Sequence, residues 1–448
     1  MRTVCPFGTS DAMRAKVFLR LQTPILRTLR MLCAGFCCVT KRAMDKLPVL
    51  LLACCLLVSC SVPSTELTGF EAQSAVLIAT PVPIAASPSL PAATPAPMPR
   101  GVARYRLCFT GDIMCHEAMF QAAYDAKTQT YSFDSQFPYI KPYLEMADLA
   151  IGNLEAPLGE ETDVFRGFPS FNAPPSLMQA VANAGFGMVT FANNHTADAG
   201  RRGISRTMAM AEADGIYITG ATDEAHTKRY AIIDLPDLRL AVLAYTPYVN
   251  ENLRDVINFF DLKRIEADIK DARDEGAEIV IVCCHWGAEY QNEANDIQKN
   301  AAASLVALGV DAVIGHHPHV LQEIDLLTNE DGKSVPVAYS LGNFVANQPY
   351  RYRHAGLLLE LTFLKDLDEG TTKLEHMRAM PTYCWREGWG DNRTYSVLPA
   401  AASKPEAMSD AQARKMNEAY ADTLDLLNRC GIEEWRPLAQ SNNTTKEE

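Results

Sequence analysis

The sequence lacks GxGxxG, P-loop, GxSxG and HExxH motifs, and its six cysteines beyond residue 60 contain no CxxC pair. These absences remove support for dinucleotide, NTPase, serine-hydrolase, zincin, zinc-ribbon and thioredoxin-like sites. Basic charge is also scarce. Over 448 residues, 41 Lys and Arg stand against 54 Asp and Glu, a net of −13. A nucleic-acid binder needs a basic face to neutralise phosphates, so no nucleic-acid partner is expected. No internal repeat of solenoid or propeller spacing is visible. With 48% hydrophobic and 21% charged residues, the chain can nevertheless bury a core.

The average conceals two different segments. Residues 1–60 hold nine basic and two acidic side chains, whereas residues 61–448 hold 32 and 52, a net of −20. Seven of the 13 cysteines lie at or before Cys60. Residues 47–58, LPVLLLACCLLV, form an apolar run of 12. A membrane span needs about 20, so the run fits a signal-peptide core instead. It leads into Leu57-Val58-Ser59-Cys60, which resembles a bacterial lipobox and implies cleavage before Cys60 and its lipidation. Met44, or Met31, is the expected start, with the upstream residues a gene-start error. Residues 61–103 are rich in Ser, Pro, Ala and Thr and read as a disordered tether. The expected location is therefore outside the cell, lipid-anchored to the outer face of the membrane. Export permits disulfides, but spacing alone pairs none of the later cysteines.

From residue 104 the pattern alternates strand, loop and helix. Strands are expected at 104–110, 147–152, 186–192, 239–245, 278–284, 310–314 and 335–340, with helices at 262–275 and 296–308. Continuous apolar strands between helices predict an α/β fold with covered sheets. A weaker signal continues with edge strands at 374–385, a helix at 404–430 and a polar, disordered tail at 440–448. The domain expectation is thus residues 104–365, with a small C-terminal extension at 366–448.

At least five strands end in polar clusters, and ligands of open α/β sheets bind beyond such strand ends. The clusters supply Asp112, Glu155, Asn194, His195, His285, His317 and His319. Carboxylate, amide and imidazole suit Mn, Zn or Fe as divalent ions. The run His316-His317-Pro318-His319 places three of the chain's nine His in four residues, and Pro318 restricts His317. A pair of metal ions could clamp a phosphoryl or similar group, with a non-ligand histidine protonating the leaving group. Cys283 and Cys284 read as small core residues; Cys115 and His116 stay ambiguous.

Six motifs then occur in order. They are Gly111-Asp112-Ile113-Met114, Gly152-Asn153-Leu154-Glu155-Ala156-Pro157, and Asn193-Asn194-His195 with Asp198 and Gly200. His285-Trp286-Gly287-Ala288-Glu289, Gly315-His316-His317-Pro318-His319-Val320-Leu321-Gln322 and Ser340-Leu341-Gly342-Asn343-Phe344 complete the set. Together they resemble the CapA family of poly-γ-glutamate capsule synthesis proteins over about residues 104–365. That family is similar to calcineurin-like metallophosphoesterases, which implies a four-layer α/β/β/α sandwich. Carried over, the resemblance implies Asp112, Glu155, Asn194, His285, His317 and His319 as metal ligands, with Glu155 bridging. His195 and Asp112 are the implied catalytic pair. One position departs: the phosphoesterase motif has His where this chain has Met114, so a ligand is missing unless His116 or water substitutes.

The resemblance leaves two functions open. One is a metal-dependent hydrolase or transferase acting on a phosphoester or a polyglutamate-type amide; the other is a non-catalytic component that binds or exports an anionic polymer, within a capsule synthesis complex. An acidic body repels an anionic polymer, so contact requires a metal or a local basic patch. Arg201, Arg202 and Asn343 are the candidate substrate contacts, and Arg351 and Arg353 form a further basic pair.

Overall fold

A computed structural model describes residues 101–388 and 393–438. The first sheet opens with β1 (Val102–Ile113), followed by helix α1 (Glu117–Ala123), a two-stranded ribbon of β2 (Tyr124–Asp125) and β3 (Thr130–Tyr131), and the short α2 (Lys141–Leu144). Next come β4 (Leu149–Leu154), α3 (Ser176–Asn183), β5 (Met188–Thr190), α4 (Gly200–Ala213) and β6 (Tyr217–Thr219). The second sheet uses β7 (Tyr230–Leu235), β8 (Leu238–Tyr245), α5 (Leu262–Asp274), β9 (Ile279–His285), α6 (Asp296–Ala307), β10 (Ala312–His316), β11 (Ile324–Thr328) and β12 (Ser334–Ala338). The chain then returns to the first sheet through β13 (Asn343–Val345), β14 (Ala355–Asp366), β15 (Thr372–Glu387) and β16 (Thr394–Pro399), ending with α7 (Asp410–Cys430) and β17 (Glu433–Glu434).

The large sheet runs β16-β15-β14-β1-β4-β5-β6, with β13 beside β1 and β17 beside β15. The other sheet runs β11-β12-β10-β9-β8-β7. Alternation along each strand explains why they stack. In β1, Leu107 and Phe109 enter a core shared with Leu240, Val242, Ile279 and Ile281 of the second sheet. Cys108 points the other way, into a core with Leu177, Val181 and Met208 of α3 and α4. In β9, Cys283 joins the inter-sheet core and Cys284 the layer beneath α5 and α6. The outcome is the expected four-layer α/β/β/α sandwich. Full burial of each Leu or Ile in these layers contributes about 1.5–3 kcal/mol.

The expected boundary after residue 365 is crossed by the sheet itself. β14 ends at Asp366, and β15 pairs with it antiparallel along most of its length. Strands β15, β16 and β17 thus extend the large sheet, while α7 covers β14–β16 through Met416 and Ala419. Val102 and Ala103, assigned to the tether by composition, already belong to β1. The leader, Cys60, residues 61–100 of the tether and the polar tail lie outside the described residues.

Register brings the site together. Asp112 of β1 stands level with Asn153 of β4 and Asn343 of β13. His285 of β9 stands level with His316 of β10. Gly111 permits the close approach of β1 to the following loop, since a Cβ there would lie 2.0 Å from the Gly342 carbonyl oxygen.

Candidate metal centre

Two groups of buried ligand atoms converge at these strand ends: Asp112, Glu155 and His319, and Glu155, His285 and His317. Glu155 belongs to both. Its carboxylate is fully buried, and neither oxygen has a hydrogen-bond partner. The ring nitrogens nearest Oε1 are His285 Nε2 at 3.5 Å and His319 Nε2 at 3.7 Å. A buried, unpaired carboxylate is costly unless a proton or a cation compensates it. Burial accordingly pushes the Glu155 carboxyl well above its ordinary range, and the charges of Asp112, Glu289 and Asp198 push it further.

Each half has its own supports. Asp112 Oδ2 lies 3.1 Å from His319 Nδ1, and Oδ1 accepts from Asn153 Nδ2 at 2.8 Å. Burial opposes the Asp112 charge, yet the hydrogen bond and charge of His319, with His316 and Asn153, hold its carboxyl below the usual range. In the other half, His285 Nε2 stands 2.8 Å from Asn194 Oδ1 and 3.1 Å from His317 Nδ1. Burial holds the His285 ring well below the ordinary histidine range, with His317 and the other nearby imidazoles adding to it. His317 is held at about 4 for the same first reason, with His319 adding. Neutral imidazoles facing an unpaired carboxylate form a donor set that fits a divalent cation.

The His-His-Pro-His loop does not behave uniformly. His316 turns away and places Nε2 3.1 Å from the Thr110 carbonyl oxygen, tying the two sheets together. His317 and His319 both adopt positive φ, +97° and +57°. Pro318 therefore does not hold His317 extended. Such backbone costs on the order of 1–3 kcal/mol and persists only when its surroundings enforce it. The Pro318 carbonyl accepts from the Tyr290 amide at 2.7 Å, clipping this loop to the one after β9.

His195 stands beside the ligand groups rather than within them. Its Nδ1 lies 2.6 Å from Asp198 Oδ2, and its ring meets Phe171 edge-on at 4.6 Å. His116 also lies outside both groups. Its Nδ1 accepts from the Asn347 amide at 3.3 Å, so no substitution for the missing motif histidine is observed there. Met114 itself is buried, with Sδ 4.0 Å from Gln348 Nε2. Asn343 is buried too; its Oδ1 lies 3.2 Å from His319 Nδ1, and its Nδ2 donates to the Arg353 carbonyl at 2.8 Å. Arg201 and Arg202 are exposed and paired with Asp255 and Glu160.

Two supporting amides escaped the residue-level reading. Asn153 contacts Asp112, while Asn193 donates to the Leu154 carbonyl at 2.8 Å and accepts from the His195 amide at 3.1 Å. Their signal was their place inside the Gly-Asn-Leu-Glu and Asn-Asn-His motifs.

A family model described as "Bacterial capsule synthesis protein PGA_cap" matches residues 106–348, more than half of the chain. The chain belongs to the PGA_cap family. The metal-ligand candidates from Asp112 to His319 all fall within that match. Among curated relatives of this PGA_cap chain, the capsule biosynthesis protein CapA of Bacillus anthracis is 33% identical over 236 residues, 49% of this chain and 55% of that protein. The match therefore spans about half of that relative's length. The PGA biosynthesis protein CapA of Bacillus subtilis strain 168 is 26% identical over 276 residues, 60% of this chain and 69% of that protein. Solved structures similar to the PGA_cap chain include the calcineurin-like phosphoesterase YfkN from Bacillus subtilis. It is 15% identical with a TM-score of 0.39, covering 73% of this chain and 99% of that one.

Proposed function

We propose that this protein is an exported, lipid-anchored component of capsule or cell-envelope polymer synthesis whose buried centre binds divalent ions and hydrolyses or transfers a bond of an anionic substrate. The observation that carries the metal reading is Glu155: a fully buried carboxylate without a hydrogen-bond partner, shared by two ligand groups. The names of the Bacillus relatives support the capsule assignment. Anchoring rests on the apolar run at residues 47–58 and the lipobox-like Leu57-Val58-Ser59-Cys60 it leads into. Among the described residues no helix is long and apolar enough to cross a membrane.

Asp112, Glu155 and His319 would hold one ion; Glu155, Asn194, His285 and His317 would hold another. Bound Mn, Zn or Fe would supply Lewis-acid polarisation and water activation. The chain's own contribution is positional. Asp198 accepts from His195 Nδ1, which orients the ring and leaves Nε2 to carry a proton toward a leaving group. Phe171 packs on that ring and limits its freedom. Substrates on this reading are a phosphoester or an amide of polyglutamate type.

Met114 favours a second reading, a non-catalytic polymer-binding or export component, because it replaces the phosphoesterase-type histidine with a thioether. Turnover of phosphodiester and γ-glutamyl substrates by the wild type and by an Asp112→Ala/His317→Ala double variant separates the two. The enzymatic reading predicts metal-dependent turnover that the double variant loses. A metal-free wild type, together with full polymer function of the variant in cells, would overturn it.

A further inference from the structure

Arginines near the strand ends differ in whether their donors are already engaged. The Arg351 fork is bound to Asp422, with Nε at 3.0 Å and Nη2 at 2.8 Å, and Arg201 and Arg202 are paired with surface carboxylates. Arg353 is different. Its guanidinium carbon lies over the rings of two tyrosines, 3.3 Å from the Tyr290 centroid and 5.1 Å from that of Tyr350. Among the described residues it has neither an ion pair nor a side-chain hydrogen bond. Stacking engages the π face of a guanidinium and leaves its in-plane N–H fork able to grip an oxyanion with two parallel hydrogen bonds.

The same groups tie this fork to the metal centre. Tyr290 lies 6.0 Å, ring to ring, from His319 and is anchored by its amide to Pro318. The Arg353 carbonyl accepts from Asn343, whose Oδ1 faces His319 Nδ1. In a body whose residues 61–448 carry a net −20, an uncommitted cation at this position is a local exception to the general repulsion of anions.

We propose that Arg353, held against the rings of Tyr290 and Tyr350, is an oxyanion clamp that binds a phosphate or carboxylate group of the substrate beside the His319 half of the centre. This assignment rests on the metal-centre reading for its role in turnover, but the clamp itself is testable as anion binding. Specificity would come from the fixed fork, which favours planar or tetrahedral oxyanions over singly contacting anions such as chloride.

The test is calorimetric titration of the full-length, Mn²⁺-loaded protein with inorganic phosphate and, separately, with glutarate, which distinguishes the two sources of oxyanion. Arg353→Gln is expected to weaken binding of the preferred anion at least tenfold, with metal content unchanged. Arg353→Lys should recover only part of it, while Arg351→Gln stays within twofold of wild type. Binding unaltered by Arg353→Gln, or absent from the wild type for both anions, would overturn the clamp. Arg353-dependent anion binding by a protein that retains no Mn²⁺ after loading would uphold the clamp while overturning the metal-centre reading.

Discussion

Asn153 Nδ2 donates to Asp112 Oδ1 at 2.8 Å, and the same nitrogen lies 3.3 Å from His285 Nδ1. One amide thereby bridges a carboxylate of one ligand group and an imidazole of the other. Thr190 and Asn193 both donate to its Oδ1, at 3.3 and 3.4 Å, and fix its orientation. Removing such an outer support commonly costs about 10–100-fold in metal affinity. Asn153→Ala should therefore weaken both halves of the centre, whereas Asn343→Ala should weaken chiefly the His319 half. Competition with a fluorescent chelator measures this. Affinities within twofold of wild type for Asn153→Ala would show that the bridge does not position the ligands.

Met114 offers a gain-of-function prediction. Its sulfur contacts Gln348, whose Oε1 lies 3.3 Å from Asn343 Nδ2, so the position adjoins the support of His319. Met114→His should add a ligand to the Asp112 half and tighten metal retention about tenfold, the scale of a well-placed supporting group. Residual metal after dialysis against graded EDTA checks it. Retention no better than wild type would mean that this side chain does not face the centre.

Acid should destabilise the metal-free fold through its buried imidazoles. Burial holds His116 at about 4, with the charges of His319 and His195 adding. The unfolded ring takes a proton near 6.5, so between pH 6.5 and about 4 the unfolded chain binds more protons and stability falls as pH falls. Glu155, whose carboxyl is raised, acts oppositely: folded protein holds a proton that the unfolded chain releases, so its contribution weakens as pH rises. Urea unfolding in EDTA across this window should show His116→Gln reducing the positive dependence of stability on pH by about one proton. An unchanged slope would mean that His116 titrates alike in both states.

The layered fold was legible because alternation survives in the strands: Cys283 and Cys284 read as core residues and occupy the cores on opposite faces of their sheet. The candidate ligand set was legible because metal-binding residue types recur at strand ends. Asn153 and Asn193 were harder to assign, since an amide after a strand looks like any turn residue until register sets it beside Asp112. His316 shared a run with two ligand candidates, yet its side chain bonds the facing sheet. Arg353 and Tyr290 are 63 positions apart in the chain, and only packing of the two loops makes them neighbours. The C-terminal strands carried a weak signal because the first half of β15, residues 372–378, is polar and only partly buried, even though it pairs with β14 as a hairpin neighbour.

The most direct measurement of the central claim is elemental analysis of full-length wild type and Glu155→Gln, coupled to thermal unfolding with and without added Mn²⁺. The shared-carboxylate account predicts that wild type retains divalent metal and gains about 3 kcal/mol of apparent stability at a hundredfold excess over Kd. Glu155→Gln should lose both the metal and the gain, yet be no less stable than wild type without metal, because it removes a buried unpaired carboxyl. Metal retained at wild-type stoichiometry by Glu155→Gln would contradict the account.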